Sequence, residues 1–215
     1  LIACDSMHQM IYYTTNNQYI WYGTISSSIW EHHGIPTHGT PKALCAGFGK
    51  AAVLTGQIIT IYTMPKELQM ALPGDAQLAT GCAFVDANTV ALVGVKIQAN
   101  VLLLNYDTGK LTAMEMPFSG GASFISLFNG RAVIASGAKG WPWYVYSGVF
   151  NDMFNDSTTE TFTVTGGDPV GLGLSQSGTQ EVYLSNAAGI WQLVNKNYVV
   201  WNKVVNLVVS GLTVL

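Results

Sequence analysis

Leu127-Phe128-Asn129-Gly130-Arg131-Ala132-Val133-Ile134-Ala135-Ser136-Gly137 is the stretch whose reading decides the fold. An apolar run reaches Asn-Gly and returns as a second apolar run. Asn-Gly between two such runs signals a two-residue β-hairpin, because both central residues of that turn need φ above zero. The pair feeds a third strand-like run, Trp143 to Tyr146, and then a long polar loop. The same strand-turn-strand grammar recurs along the chain.

Working outward, the strand-like runs fall into groups of four. The first group is Ile2-Asp5, Gln9-Thr14, Gln18-Thr24 and Ser27-Glu31. The second is Ala43-Gly47, Ala51-Gly56, Ile58-Met64 and Glu67-Leu72. The third is Thr80-Asp86, Thr89-Val95, Asn100-Tyr106 and Lys110-Met116. The fourth is Ser123-Phe128, Arg131-Gly137, Pro142-Ser147 and Thr159-Thr165, and the fifth Val170-Ser175, Gln180-Asn186, Gly189-Val194 and Tyr198-Val204. Group starts are spaced by roughly 36 to 47 residues, close to the ~40–50 of a four-stranded propeller blade. Asn16-Asn17, Asp107-Thr108-Gly109, Asn129-Gly130 and Ser177-Gly178 supply the turns. Connections this short force neighbouring strands to be antiparallel. The only weak helix candidate, Pro65 to Leu72, suits a strand equally well.

First strands carry small residues: Ala3 and Cys4, Cys45 to Gly47, Gly81 to Ala83, Gly171 to Gly173. Blades crowd together at a propeller axis, so small side chains belong there. The expected fold is therefore all-β: one β-propeller domain over residues 1–215, of five four-stranded antiparallel blades. A final apolar run, Leu207 to Leu215, either opens a sixth blade or completes the first. A β-sandwich with extra hairpins is the alternative.

Composition narrows the function classes. Hydrophobic residues make up 49% and charged residues 10%, well below the usual quarter. Much of the surface must be neutral polar or buried against other chains. The formal net charge is −3 and the scattered Lys and Arg form no basic stripe, which argues against sequence-specific nucleic-acid binding. No apolar run reaches the ~18–20 residues of a membrane helix, and no secretory signal is visible. The chain opens on Leu1 and reads as a piece of a longer protein. Cys4, Cys45 and Cys82 are too few for a disulfide framework and read as reduced core thiols.

Chemistry-bearing candidates are sparse. Glu31-His32-His33 with His38 has metal-ligating residue types, but it sits among Gly34, Pro36, Gly39 and Pro41 and reads as a solvated blade-to-blade loop. His8 reads as turn surface. Asp5 and Asp86 end first strands and Asp168 precedes one, positions at which a glycosidase propeller could set its acids. Turn-forming Asp is the simpler reading. No Gly-x-Ser-x-Gly elbow or dinucleotide fingerprint occurs. No enzyme activity, metal or cofactor is expected. The aromatic loops are the better interface candidates: Trp141, Trp143 and Tyr144 around a proline, and Phe150, Asp152 and Phe154 in the following polar loop. Protein interfaces enrich such residues, and sugar-binding propellers use similar ones; the third reading is that these aromatics are core.

Leu127-Phe128-Asn129-Gly130-Arg131, followed by Gly137, Pro142, Ser147, Asp152, Phe154 and Asn155, resembles a pattern in tail nozzle and hub proteins of short-tailed bacteriophages. Asp168-Pro169-Val170-Gly171-Leu172 and Glu181-Val182-Tyr183-Leu184 are similar to later parts of that pattern, while Ala132 stands where Leu is usual. The resemblance spans Gly121 to Leu193 and is structural, so it carries no active site. It implies a propeller blade in a virion tail component, assembled with other tail subunits as a homo-oligomeric ring around the DNA exit channel. A carbohydrate-binding propeller recognising a host glycan is the alternative function.

Overall fold

The computed structural model describes residues 1–15, 18–26, 34–97, 100–116, 121–137, 143–150, 159–164, 167–175, 181–195 and 200–205. Blade 1 comprises β1 (Ile2–Asp5), β2 (Met10–Thr14), β3 (Tyr19–Thr24) and β4 (Ile35–Pro36). Blade 2 comprises β5 (Ala43–Gly47), β6 (Lys50–Leu54), β7 (Ile58–Thr63) and β8 (Lys66–Ala71). Blade 3 comprises β9 (Gly81–Phe84), β10 (Thr89–Val93), β11 (Asn100–Asn105) and β12 (Lys110–Glu115). Blade 4 comprises β13 (Ala122–Phe128), β14 (Arg131–Ser136), β15 (Tyr144–Val149) and β16 (Glu160–Thr163). Blade 5 comprises β17 (Pro169–Leu174), β18 (Val182–Asn186), β19 (Gly189–Asn195) and β20 (Val200–Val205).

Each blade is one antiparallel sheet with its strands in sequence order. The first strands of all five blades line a common axial channel. The chain is a five-bladed β-propeller.

The second strands show why the blades stack. Ala51-Ala52-Val53-Leu54 is fully buried, with no polar residue at any second position. A strand buried on both faces has no water-facing side to alternate toward. Ala51 and Val53 pack toward blade 1 with Tyr12, Ile20 and Tyr62. Ala52 and Leu54 pack toward blade 3 with Ile59, Val90, Leu92 and Leu104. Ala91 and Val93 point the other way, to Ile134 of blade 4. Val133 and Ala135 in turn meet Leu172, Leu184 and Trp201 of blade 5. Burying one such aliphatic side chain contributes about 1.5–3 kcal/mol, so these joints dominate the stability.

Small residues are required near the axis. A Cβ on Gly81 would sit 3.1 Å from the Ser123 carbonyl oxygen of the next blade. The Asn129-Gly130 turn has φ of +50° and +73°, the two left-handed residues of a type I′ hairpin.

Two expectations need correction. The fourth strand of blade 1 is Ile35–Pro36, inside the segment read as a loop; Ser27-Glu31 lies outside the described residues. Pro36 tolerates this position because β4 is an outer strand, paired on one side only. The third strand of blade 4 begins at Tyr144 rather than Pro142. The stretch Pro65 to Leu72 contains strand β8, as the second group expected, and the unexpected helical turn is a short 3-10 helix at Gly74–Leu78. Leu207 to Leu215 lies outside the described residues.

Candidate functional site: the two axial ends of the propeller

The topology gives the disc two distinct faces. The turns between first and second strands, and between third and fourth, lie on one face, called here the hairpin face. The turns between second and third strands, and the blade-to-blade connections, lie on the opposite, crossover face.

This division separates the aromatic candidates. Tyr144 starts β15 on the crossover face and Phe150 follows its end on the hairpin face. At about 3.3 Å per residue, the six-residue strand holds them nearly 20 Å apart. They cannot form one platform. Tyr144 is exposed, whereas Phe150 packs partly against the core between blades 3 and 4. Trp143 is core: its indole nitrogen donates to Asp168 Oδ1 at 2.9 Å, and its ring packs with Phe124 at 6.5 Å between centroids. Gly137 is needed beneath it, because a Cβ there would meet the indole at 2.6 Å. Trp141, Asp152 and Phe154 lie outside the described residues.

The acid candidates also separate. Asp5 and Asp86 stand on the hairpin face and Asp168 on the crossover face. Each holds structure in place. Asp5, 4% exposed, accepts from the Gly49 amide at 2.7 Å, the His8 amide at 3.2 Å and His8 Nδ1 at 2.8 Å. It thereby ties blade 1 to the β5–β6 turn of blade 2. Asp86 Oδ1 accepts from the Asn88 amide at 2.7 Å, the turn-forming role. Asp168 anchors Trp143.

His38 pairs with Glu67 at 3.0 Å, while Glu31, His32 and His33 lie outside the described residues. Among the described residues no cluster of three metal-ligating side chains forms.

The channel is narrow, with a volume of about 80 Å³, and Cys4, Cys45 and Cys82 form part of its wall. All three are free and buried. Burial, reinforced by the neighbouring Cys82, pushes the Cys45 thiol well up, which keeps it protonated and unreactive.

The channel widens on the hairpin face into a cavity of about 260 Å³. Met7, Phe48, Phe84, Leu127 and Phe128 provide its apolar walls, with Asp5 among them. Sequence reasoning missed this site, because its residues come from the turns of four different blades. One signal was available: Phe48-Gly49 occupies a turn where Asn-Gly would be expected. Phe48 has φ +56° and Gly49 φ +71°, the same left-handed pair as Asn129-Gly130. The left-handed conformation costs a bulky residue about 1–2 kcal/mol. Phe48 is nevertheless 44% exposed, so only part of its side chain gains packing in return.

No family model matches the chain, and no curated protein matches it either. Solved structures do. The β-propeller domain of Cps50 (Swd1) from Myceliophteria thermophila matches with a TM-score of 0.68 at 8% identity, over 99% of this chain and 75% of that one. U3-55K matches with a TM-score of 0.63 at 13% identity, over 91% of this chain and 61% of that one. The WD40 repeats of RRP9 match with a TM-score of 0.62 at 13% identity, over 91% of this chain and 60% of that one. The chain thus spans three quarters of the first structure's length and about three fifths of the other two.

The expectation of a tail nozzle or hub subunit is overturned by this finding, since the likeness runs to WD40-type propellers. The tail-ring, virion-location and host-glycan expectations gain no support. The physical reason lies in the motif. Arg131 bonds Ser147 at 3.1 Å and Glu160 at 3.1 Å, lacing three strands of one blade together, while Asn129-Gly130 is the hairpin turn. Arg131, Ser147 and the Asn129-Gly130 turn of that pattern thus have roles inside the blade. No helix among the described residues is long and apolar enough to cross a membrane. By its blades and by these likenesses, the chain is a five-bladed β-propeller similar in fold to WD40-type propellers.

Proposed function

We propose that this propeller is a non-catalytic interaction scaffold acting within a protein complex. The observation that carries the reading is the commitment of the axial carboxylates. Acid-base hydrolysis of a glycoside needs two carboxyl groups about 5 to 9.5 Å apart with protons to exchange. Here Asp5 and Asp168 stand on opposite faces, and each accepts N–H bonds that hold blades together. What the hairpin-face end of the axis offers instead is apolar surface, which suits a protein partner. The fold likeness to Swd1, U3-55K and RRP9 propellers supports the reading.

The test is native isolation of the tagged chain from its source cells, followed by size-exclusion chromatography and mass spectrometry. The expected outcome is elution with stoichiometric protein subunits. A chain that elutes alone and hydrolyses glycosides, with loss of that activity in Asp5→Asn, would sink the proposal.

A further inference from the structure

We infer that the hairpin-face cavity is a receptor for one aliphatic or aromatic side chain projecting from a partner protein, with Phe48 and Met7 as its rim. This rests on the interaction reading above and names its surface.

Three observations meet at this place. The first is the backbone of Phe48. A two-residue turn of this type accommodates Asn or Gly freely, as Asn129-Gly130 does one cavity wall away. A strained, half-exposed aromatic at that position points to work done by the side chain rather than by the turn. The second is preorganisation. Asp5 Oδ2 receives the Gly49 amide at 2.7 Å and the His8 ring at 2.8 Å, so the turn displaying Phe48 is held from behind. A rim ordered before binding loses little freedom when a partner arrives. The third is size and charge. At about 260 Å³ the cavity falls below the ~300–1,000 Å³ of drug-sized ligand pockets. Its carboxylate is 4% exposed and its oxygens already accept from Gly49 and His8, so a cationic side chain gains little direct contact with it. One apolar side chain fits both limits. Met7, 76% exposed, adds the adaptable thioether typical of such surfaces.

The experiment uses the whole chain with 13C-methyl methionine. N-acetyl-leucinamide, N-acetyl-phenylalaninamide and N-acetyl-lysinamide serve as probes. The Met7 methyl resonance is expected to shift with the first two and not with the third, while the methyl of Met70, outside the cavity, stays still. In Phe48→Asn the apparent affinity falls at least tenfold. The same variant is expected to raise the unfolding midpoint by about 2–4 °C, because Asn relieves the left-handed strain. Three results overturn the inference: no Met7 shift, an equal shift with the lysine probe, or a lower midpoint in Phe48→Asn, which would make Phe48 a packing residue. The native isolation separates the two proposals. Partners that copurify equally with wild type and Phe48→Asn uphold the scaffold and remove this site. Amide binding without any stoichiometric partner upholds the pocket and removes the scaffold.

Discussion

The joint between blades 2 and 3 and the seam between blades 5 and 1 are built on opposite principles. At the first, Leu54, Ile59, Val90, Leu92 and Leu104 fill the space from both sides with fully buried aliphatic groups. At the second, no hydrophobic cluster among the described residues joins blade 5 to blade 1. Val182 and Leu184 of β18 face blade 4, so alternation turns Tyr183 and Ser185 toward the seam. Tyr12 and Ile20 face blade 2, so Tyr13 and Trp21 turn the other way, stacked at 6.3 Å. Leu1, Ile2 and Val170 near the seam remain exposed. Among the described residues the ring is therefore not uniform. Among them, apolar packing closes four joints, whereas the fifth presents aromatic and polar groups. Cooperative stability should concentrate in blades 2 to 4, and opening should start beside the seam.

The largest effect that could break this comparison is core truncation. Leu92→Ala should cost about 2–5 kcal/mol in denaturant unfolding, from lost burial plus a cavity. Asn202→Ala, on the exposed part of blade 5, should stay within about 0.5 kcal/mol. Similar values for the two would erase the distinction between joint and seam.

A smaller effect is expected at the tie between blades 1 and 2. Asp5→Ala leaves the Gly49 amide without its acceptor, at a cost of about 1–3 kcal/mol. Hydrogen exchange should quicken first in β1 and β2, next to the seam. Faster exchange confined to blades 3 and 4 would show that the tie does not act locally.

The smallest effect is a slope in alkali. Burial, with Asp5 nearby, raises Tyr12 from 10.0 to about 12; burial, with Glu67 nearby, raises Tyr62 to about 12. The folded chain keeps these protons when the unfolded chain has lost them. Their contribution is whole below pH 10 and is lost as pH rises toward 12. Tyr12→Phe should flatten the fall in stability over that window, and an unchanged slope would refute the assignment to Tyr12.

Much of the fold was legible because local rules agree with it. Ala43-Gly47 coincides with β5, and most other expected strands match to within a residue or two, since turn chemistry and apolar runs mark both ends. The misses follow from tertiary override. Ile35–Pro36 lies in a Gly- and Pro-rich segment that reads as loop, and only pairing with Tyr19 and Ile20 makes it a strand. Trp143 looked like a surface aromatic beside Trp141 and Pro142, yet Asp168 receives its N–H and Gly137 leaves room for its ring. The tail-subunit function expected from the resemblance is overturned by the likeness to other propellers, and Arg131 and Ser147 of that pattern bond each other within the blade.

By itself the sequence determined the class, the four-strand grouping and the hairpin turns, because each depends on residues close together in the chain, while the count of five blades against six came from the structure. The Asn129-Gly130 turn needs no distant partner to exist. Tertiary structure alone decided which side chains meet. It set Tyr144 and Phe150 on opposite faces, drew Asp5 under the Phe48-Gly49 turn, and gathered Met7, Phe48, Phe84 and Phe128 around one cavity. Those meetings depend on how four blades pack about an axis, and no local pattern records that geometry.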